Sequence, residues 1–278
     1  MSDFGCQTRG MQGGVIYDFG MNNGDDVEYY LLKADKVVGV EANPILCDEV
    51  RRRFPAEIAE DKLIVLNCAL STDIGAPEVD FYVNRKHHVL SQLDKPDVDA
   101  IGEFEQIRVP ARHPVDIIHA HGDPRFVKID LEGFDAQVLR AIFAAGIRPP
   151  EISAESHSID VFASLVEAGY RSFNLVDGWS VAHVYDNASI ETLLGRRRFS
   201  FRPHSAGPFG ADVRGEWQDP DTFFYTLAAA GLGWKDIHAS NLIPPAPPPS
   251  FGKLISRQAA ALVLQFARGV KARVSNRH

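Results

Sequence analysis

Two pairs of polar side chains have the types and spacing that acid–base chemistry requires. Asp130 and Glu132 stand two residues apart, as do Glu155 and His157, and each pair follows an apolar run typical of a buried strand. Residues two apart in a strand lie on the same face, and the carboxyl ends of parallel strands meet at one edge of a sheet. We therefore expect three acids and one imidazole to gather at neighbouring strand ends.

This patch could help a hydroxyl group to act as a nucleophile in two ways. A positioned base could remove the hydroxyl proton, and the candidates in order of preference are His157, Glu132 and His88. Alternatively, Asp130, Glu132 and Glu155 could hold Mg²⁺, which lowers the pKa of a bound hydroxyl. The sequence leaves both schemes open and commits to no metal site. The predicted catalytic residues are His157, Glu132, Asp130 and His88.

A glycine-containing turn near the N-terminus predicts a ligand cradle. Val15-Ile-Tyr-Asp-Phe-Gly-Met-Asn-Asn-Gly24 begins as a short apolar strand that runs out at Asp18, and Gly20 and Gly24 let a ligand approach the backbone. An amphipathic helix follows from Asp25, so free N–H groups and the positive end of the helix dipole would point into the turn. The pattern predicts a ligand with an anionic group, such as a carboxylate or a phosphate.

An acid at the end of the second predicted strand indicates that the ligand also carries a ribose. Glu41 ends the strand 36–41 and follows Asp18 by 23 residues. In nucleotide-binding α/β folds, an acid about 20 residues downstream of the turn accepts hydrogen bonds from ribose hydroxyls. Asn43 then stands at the N-cap position of a second helix. The sequence therefore predicts a nucleoside ligand.

Two sequence motifs indicate which nucleoside-containing ligand the protein binds. The dinucleotide fingerprint G-x-G-x-x-G is missing, because Asn22 and Asp25 stand where two of its glycines are needed. Asp18-Phe-Gly-Met-Asn-Asn-Gly24 instead resembles the D-x-G-A-N-x-G motif of FkbM-type methyltransferases. Val127-Lys-Ile-Asp-Leu-Glu-Gly133 is similar to that family's second signature, K-I-D-x-E-G. Two motifs in the right order are more specific than either alone.

The resemblance, which covers about residues 15–170, implies a fold, a cofactor and a reaction. The fold is a doubly wound, mostly parallel, seven-stranded Rossmann-like sheet of the class I methyltransferase type. The cofactor is S-adenosylmethionine, and the reaction is O-methylation of a sugar, glycan or related natural product. The adenine would lie beside the end of the third strand. The predicted cofactor-binding residues are Asp18, Gly20, Asn22, Gly24, Glu41, Asn43, Cys68, Ala69 and Asp130.

Apolar runs predict the strands of this sheet and one long interruption. The main strands are expected at 15–17, 36–41, 63–70, 126–130, 151–157, 170–176 and 234–239, with additional strands at 79–83 and 107–111. Residues 1–243 would form the methyltransferase domain. Within it, 178–232 is an aromatic-rich insertion that we interpret as a lid or acceptor pocket, because long loops in compact domains are usually functional or disordered. Its aromatic faces could stack on a sugar ring, and its arginines 196–198 could bind an acidic group. An ordered insertion without a catalytic role is the alternative.

The C-terminal segment differs in composition from the domain. Pro244-Pro-Ala-Pro-Pro-Pro249 predicts a stiff linker, and 253–278 contains six Lys or Arg residues, no acid and a partly amphipathic pattern. Residues 244–278 would thus form a Pro-rich linker and a basic C-terminal helix, and this helix could contact an anionic membrane surface, dock on the acidic body or mediate self-association. We therefore expect a cytoplasmic protein that could be membrane-associated.

Composition excludes several other classes. The net charge of −8 and the pI near 5.7 argue against a nucleic-acid partner. The three cysteines, Cys6, Cys47 and Cys68, show no metal-ligand spacing and indicate a reducing compartment. A signal peptide and a run of 18 apolar residues are both absent from the sequence. Two other functions remain open, namely an NAD-dependent sugar-modifying enzyme and a non-catalytic nucleotide-binding scaffold.

Overall fold

A seven-stranded, mostly parallel sheet forms the centre of the computed structural model, which describes residues 13–73, 75–86 and 91–248. The strands in chain order are β1 (Val15–Phe19), β2 (Lys36–Glu41), β3 (Leu63–Asn67), β4 (Ala69–Leu70), β5 (Glu78–Asn84), β6 (Phe104–Arg112), β7 (Pro124–Ile129), β8 (Glu151–Ser156), β9 (Ser172–Asp177), β10 (Ala188–Thr192), β11 (Gly195–Phe199) and β12 (Gly233–Ser240). The helices are α1 (Val27–Leu31), α2 (Pro44–Arg53), α3 (Pro55–Ala59), α4 (Pro114–His121), α5 (Asp135–Ala144), α6 (Ile159–Glu167), α7 (Val181–Val184) and α8 (Pro220–Ala230). Within these ranges, none of the helices is long and apolar enough to cross a membrane. Predictions for Cys6, His88 and the basic C-terminal segment lie outside the described residues.

The order of the central strands is β3-β2-β1-β7-β8-β12-β9. All neighbours up to β8 pair in parallel, and β12 runs antiparallel to both β8 and β9. From β1 the chain adds strands first on one side and later on the other, so the order reverses between β1 and β7. This arrangement confirms the predicted fold class, and open α/β sheets bind ligands at such a switch point.

The predicted strand 63–70 divides between two sheets. Its first part is β3 in the central sheet, whereas β4 pairs in parallel with β6. The predicted additional strands at 79–83 and 107–111 lie within β5 and β6, which pair with each other antiparallel. Together, β4, β6 and β5 form a separate three-stranded sheet, and this places the end of β4 beside the carboxyl end of β2.

Side chains that alternate along the central strands pack into two separate hydrophobic cores. One core contains Tyr17 and Val127 together with side chains of α4, α5, α6 and α8. The other contains Ile16 and Phe126 together with side chains of α1, α2 and the segment between β9 and β12. Because adjacent strand residues point to opposite faces, the two cores cover the two faces of the sheet.

The segment 178–232 contains a hairpin, two 3₁₀ turns and the helices α7 and α8. The hairpin pairs β10 with β11, a 3₁₀ turn covers Gly210–Asp212, and α8 leads back into β12. The ring of Phe209 stacks on Phe126 of β7 with centroids 4.0 Å apart. The segment therefore supplies part of the packing on one sheet face, and its role as a lid or acceptor pocket stays a prediction.

A buried ion pair fastens this segment to α1. Lys33 donates to Asp212, and both side chains are only 3% exposed. Asp212 also accepts hydrogen bonds from the Tyr29 hydroxyl at 2.9 Å and from the backbone N–H of Glu191 at 3.0 Å. Burial lowers the pKa of Lys33 despite the nearby carboxylate, so removing that carboxylate would leave an uncompensated ammonium inside the protein.

Asp212→Ala should therefore destabilise the protein by about 3–5 kcal/mol, the usual cost of breaking a buried pair from one side. Arg140→Ala is the matched control, because its pair with Asp160 is more than half exposed and should contribute about 1 kcal/mol or less. Urea unfolding followed by circular dichroism measures both. Equal effects of the two substitutions would contradict the structural role assigned to Asp212.

Candidate active site

A cavity of about 380 Å³ opens where β1, β2, β7 and β8 end, beside the point at which the strand order reverses. Eight of the predicted site residues line it, namely Gly20, Asn22, Glu41, Cys68, Ala69, Asp130, Glu132 and His157. Three other predicted site residues, Asp18, Gly24 and Asn43, do not line the cavity. Asp18 is buried, Gly24 lies against Val50, and Asn43 caps α2. His88 lies outside the described residues.

Close approach of two strand ends explains why a glycine follows β1. Gly20 has a φ of +86°, and a Cβ at this position would lie 1.8 Å from the backbone oxygen of Asp130. Its own carbonyl accepts a hydrogen bond from Lys128 Nζ at 3.0 Å. Any other residue would push the ends of β1 and β7 apart and widen the floor of the cavity.

The amide N–H groups of the turn already have partners, so the prediction of free donors for an anionic ligand is wrong. Asn22 donates to the Glu41 carboxylate, Asn23 to the side chain of Asn22, and Asp25 to the side chain of Asn23. The other amides of Gly20–Gly24 donate to backbone carbonyls. Asparagine side chains satisfy local donors in this way, and α1 has only five residues.

Glu41 is held in a fixed orientation at the end of β2. Its Oε1 accepts from the backbone N–H of Asn43 at 2.7 Å, and its Oε2 accepts from that of Asn22 at 2.9 Å. A carboxylate has about four acceptor positions, so each oxygen keeps capacity for a hydroxyl donor. Burial raises the pKa of Glu41 to about 7, although both backbone hydrogen bonds act to lower it.

An apolar wall stands next to Glu41. Cys68, Ala69, Leu70 and Phe81 line this part of the cavity, and all four are buried. Burial raises the pKa of the Cys68 thiol to about 11. The thiol is therefore protonated at neutral pH and acts as a small apolar group rather than as a nucleophile.

A buried lysine in β7 links the ends of β1 and β7 at the floor of the cavity. Lys128 Nζ lies 3.4 Å from Asp18 Oδ1 and 3.2 Å from Asp130 Oδ2, besides its hydrogen bond to Gly20. Burial would lower the pKa of Lys128, but the charges of Asp130 and Asp18 hold it well above the usual range. The ammonium therefore stays charged and balances acids from two strands.

His157 lies between two carboxyl groups from the ends of β7 and β8. Its Nε2 is 2.8 Å from Glu155 Oε2 and 3.6 Å from Glu132 Oε2. Burial, reinforced by the charge of Asp130, raises the pKa of Glu155 to about 10 and that of Glu132 to about 7. Both carboxyl groups therefore hold a proton more tightly than a solvent-exposed glutamate does. The side chains of His157 and Glu132 are 31% and 29% exposed, so both can meet a ligand.

Backbone strain marks two cavity residues. Asn22 has a φ of +52° and Glu132 a φ of +50°, values in the left-handed region that residues other than glycine rarely adopt. Such strain persists only where the surrounding structure imposes it, and it concentrates at functional sites. Glu132 is the more informative case, because glutamate has no side-chain preference for this conformation.

The same cluster has the spacing of a metal site. One ligand atom from each of Glu132, Glu155 and His157 lies within 4.8 Å of the others. This set differs from the predicted magnesium ligands, since His157 takes the place of Asp130, which is engaged by Lys128. A mixed imidazole and carboxylate set can bind several divalent cations.

The lining also includes residues that the sequence did not assign to the site, among them Lys128, Asp26, Trp179, His204 and Trp234. A lysine inside the apolar run of β7 was an available signal, because a buried charge requires partners. Trp179 was noted only as part of the insertion. His204 and Trp234 reach the cavity through long-range packing, for which the local sequence holds no signal.

The raised pKa of Glu41 predicts a pH dependence of stability. A folded-state pKa raised from 4.5 to about 7 means that the folded protein binds this proton more tightly than the unfolded chain. The contribution is therefore present at low pH and is lost as pH rises from about 4.5 to about 7, by about 3 kcal/mol in total. Urea unfolding of the wild type and Glu41→Gln across this range should show a stability difference that changes in this direction. Parallel pH profiles would contradict the assignment.

Several solved structures resemble the fold at low sequence identity. A methyltransferase FkbM from Methylobacillus flagellatus KT is 16% identical to this chain, with a TM-score of 0.39. The match covers 59% of this chain and 40% of that protein. A precorrin 8W decarboxylase from Methanobacterium thermoautotrophicum is 10% identical over 82% of each chain, with a TM-score of 0.39. A TehB-like SAM-dependent methyltransferase from Corynebacterium glutamicum is 13% identical over 82% of this chain and 79% of its own, with a TM-score of 0.34. A search of curated protein sequences found no match.

The family comparison covers the part of the chain that forms the cavity floor. The model of the methyltransferase FkbM domain matches residues 18–184, more than half of the chain. This range includes both motifs that carry the resemblance and the carboxyl ends of β1, β2, β7 and β8. The chain therefore belongs to the FkbM methyltransferase family.

Proposed function

We propose that the protein is an S-adenosylmethionine-dependent O-methyltransferase that acts on a hydroxyl of a sugar, glycan or related natural product. One observation carries this proposal. A single cavity holds an oriented acid and an apolar wall on one side, and a carboxylate–imidazole cluster on the other. The first side suits a nucleoside, and the second suits a hydroxyl group that must lose its proton.

The residues on the nucleoside side fit S-adenosylmethionine. Glu41 would accept the ribose hydroxyls with the acceptor capacity that its two backbone hydrogen bonds leave. The adenine would pack on the apolar wall formed by Cys68, Ala69, Leu70 and Phe81. The positive charges of the cofactor suit a cavity that is also lined by Asp25, Asp26 and Asp130. When bound, the cofactor supplies a methyl group that its sulfonium has already activated.

The protein's own task is then to align the acceptor and to remove one proton. His157 or Glu132 would accept the proton of the acceptor hydroxyl as its oxygen takes the methyl group and the bond between that methyl group and the sulfonium breaks. The products would be a methyl ether and S-adenosylhomocysteine. Both side chains line the cavity, and a positioned base within reach of the hydroxyl proton speeds such a transfer. Glu155, whose Oε2 lies 2.8 Å from His157 Nε2, holds the imidazole in place.

The alternatives have less support. A dinucleotide would need glycines where Asn22 and Asp25 stand, and Asn22 is instead fastened to Glu41. A non-catalytic scaffold would have no reason to keep Glu132 strained beside an exposed imidazole. Assistance by Mg²⁺ at the Glu132, Glu155 and His157 cluster is a variant of the same function, and the assay described next separates it.

His157→Ala should lower kcat for methyl transfer about 10²–10⁴-fold, because the hydroxyl proton loses its acceptor. Transfer of labelled methyl from S-adenosylmethionine to a cell glycan extract measures this, with and without EDTA. Calorimetry should show that S-adenosylhomocysteine still binds the variant within about threefold of the wild type, since no step of binding requires a base.

His183→Ala is the matched control, because His183 is exposed on α7 and does not line the cavity. It should retain wild-type transfer. Unchanged kcat in His157→Ala would contradict the role of the imidazole as base. Loss of activity with EDTA, restored by Mg²⁺, would favour the metal-assisted scheme over the general-base scheme.

A further inference from the structure

Three rings from separate parts of the chain form a corner at the cavity. Trp179 lies in the 3₁₀ turn after β9, His204 follows β11, and Trp234 lies near the start of β12; all three line the cavity. The two indoles meet with centroids 4.7 Å apart at 74°, and His204 lies at 5.9 Å and 22° to Trp234. We refer to these three residues as the aromatic corner.

The aromatic corner is held in place by contacts outside it. A Cβ at Gly178 would lie 2.5 Å from the Trp234 ring, so the glycine leaves room for that indole. The side chain of Asp177 accepts from the backbone N–H of Trp179. Buried Asp26 accepts from Ser205 Oγ and from the N–H of Ala206, which fixes the loop that carries His204.

Exposure distinguishes this corner from ordinary core packing. Trp179 is 81% exposed, although an indole of this size normally gains from burial. Two indoles that meet at a steep angle present one ring face and one ring edge, rather than a parallel slot for a flat molecule. A puckered ring with an apolar face and hydroxyls at its rim fits such a corner.

The charged side chains of the cavity also limit which charge the ring of an acceptor can carry. Six carboxylic acids and one lysine line it among the described residues, namely Asp25, Asp26, Glu41, Asp130, Glu132, Glu155 and Lys128. Lys128 is 3% exposed and its ammonium faces Asp18, Asp130 and the Gly20 carbonyl. It therefore has no donor to offer to an anionic acceptor.

The arginines that could have bound an acidic group are elsewhere. Arg196, Arg197 and Arg198 lie on exposed β11, and none of them lines the cavity. Arg196 pairs with Glu191, and Arg198 donates to the backbone oxygen of Asn187. Arg53 and Arg202 lie nearer, and each pairs with the lining residue Asp25, at 3.6 Å and 3.5 Å. Among the described residues that line the cavity, Lys128 is the one lysine or arginine. An acceptor with a carboxylate, sulfate or phosphate group would therefore meet the acids of the cavity without a free cationic side chain in the lining.

We propose that the aromatic corner binds the ring of an uncharged sugar acceptor, and that the neighbouring carboxylates exclude acidic sugars. This inference rests on the proposed function. The apolar face of the sugar stacks on the corner, and its hydroxyls turn toward Glu132 and His157. The corner and the acids together therefore determine which acceptors are methylated.

The test uses glycans released from cells and separated by anion exchange into a neutral and an acidic fraction. With labelled S-adenosylmethionine, the neutral fraction should take up at least about tenfold more label per sugar than the acidic fraction. Trp179→Ala should raise KM for the neutral fraction about three- to tenfold, with kcat nearly unchanged, because it removes a stacking surface and not a reacting group.

Phe224→Ala is the matched control, since Phe224 is also an exposed aromatic residue and does not line the cavity; it should leave KM unchanged. Greater or equal labelling of the acidic fraction, or an unchanged KM in Trp179→Ala, overturns this inference while the proposed function stands. Calorimetry with S-adenosylhomocysteine separates the remaining cases. Normal binding without transfer to either fraction overturns the sugar acceptor and this inference together, and absence of binding overturns the proposed function itself.

Discussion

The site depends on the buried ammonium of Lys128. It lies within 3.4 Å of Asp18 from β1 and of Asp130 at the end of β7, and it donates to the carbonyl of Gly20. Lys128 is directly opposite Asp18 in the strand register, so the charges meet across the reversal point of the sheet. Without the ammonium, the carboxylates of buried Asp18 and partly exposed Asp130 would repel each other where the strands are closest. The cavity floor therefore requires this one cation.

A surplus of acids is the second feature that organises the cavity. Further along the sheet, buried Glu155 and Asp236 face each other in the register of β8 and β12. Burial, followed by the charges of neighbouring acids, raises the pKa of both groups. A cationic ligand would relieve this repulsion, and an anionic one would increase it. The same surplus thus suits the charge of the proposed cofactor and limits the proposed acceptor.

The sequence predicted most of the strand ends because they follow local rules. An apolar run, an acid and a turn residue stand next to one another along the chain, so Glu41 and Asp130 could be placed at strand ends before their contacts were known. Lys128 was overlooked because its partners Asp18 and Gly20 belong to β1 and the turn after it, and the register between strands is not a local property. The amide donors of the turn were misjudged for a related reason. The sequence does not show that the Asn22 and Asn23 side chains accept hydrogen bonds from amides of the turn, whereas the structure does.

The segment 178–232 shows the same limit on a larger scale. Its length and aromatic content indicated a function, but Phe209 packs on Phe126 while Trp179 stays exposed at the cavity. Both residue types look alike in a sequence. Which aromatic ring enters the core and which faces a ligand is decided by contacts between distant elements, such as Gly178 against Trp234.

The central claim is that the cavity beside Glu41 binds S-adenosylmethionine, and a calorimetric titration with S-adenosylhomocysteine tests it most directly. NADH serves as the parallel ligand, and Glu41→Ala is compared with Asp48→Ala, an exposed acid on α2. The account predicts binding of S-adenosylhomocysteine but not NADH, weakened by about 1–3 kcal/mol in Glu41→Ala alone, the cost of losing a buried acceptor of hydrogen bonds. Binding of NADH, or equal affinity of both variants for S-adenosylhomocysteine, would contradict it.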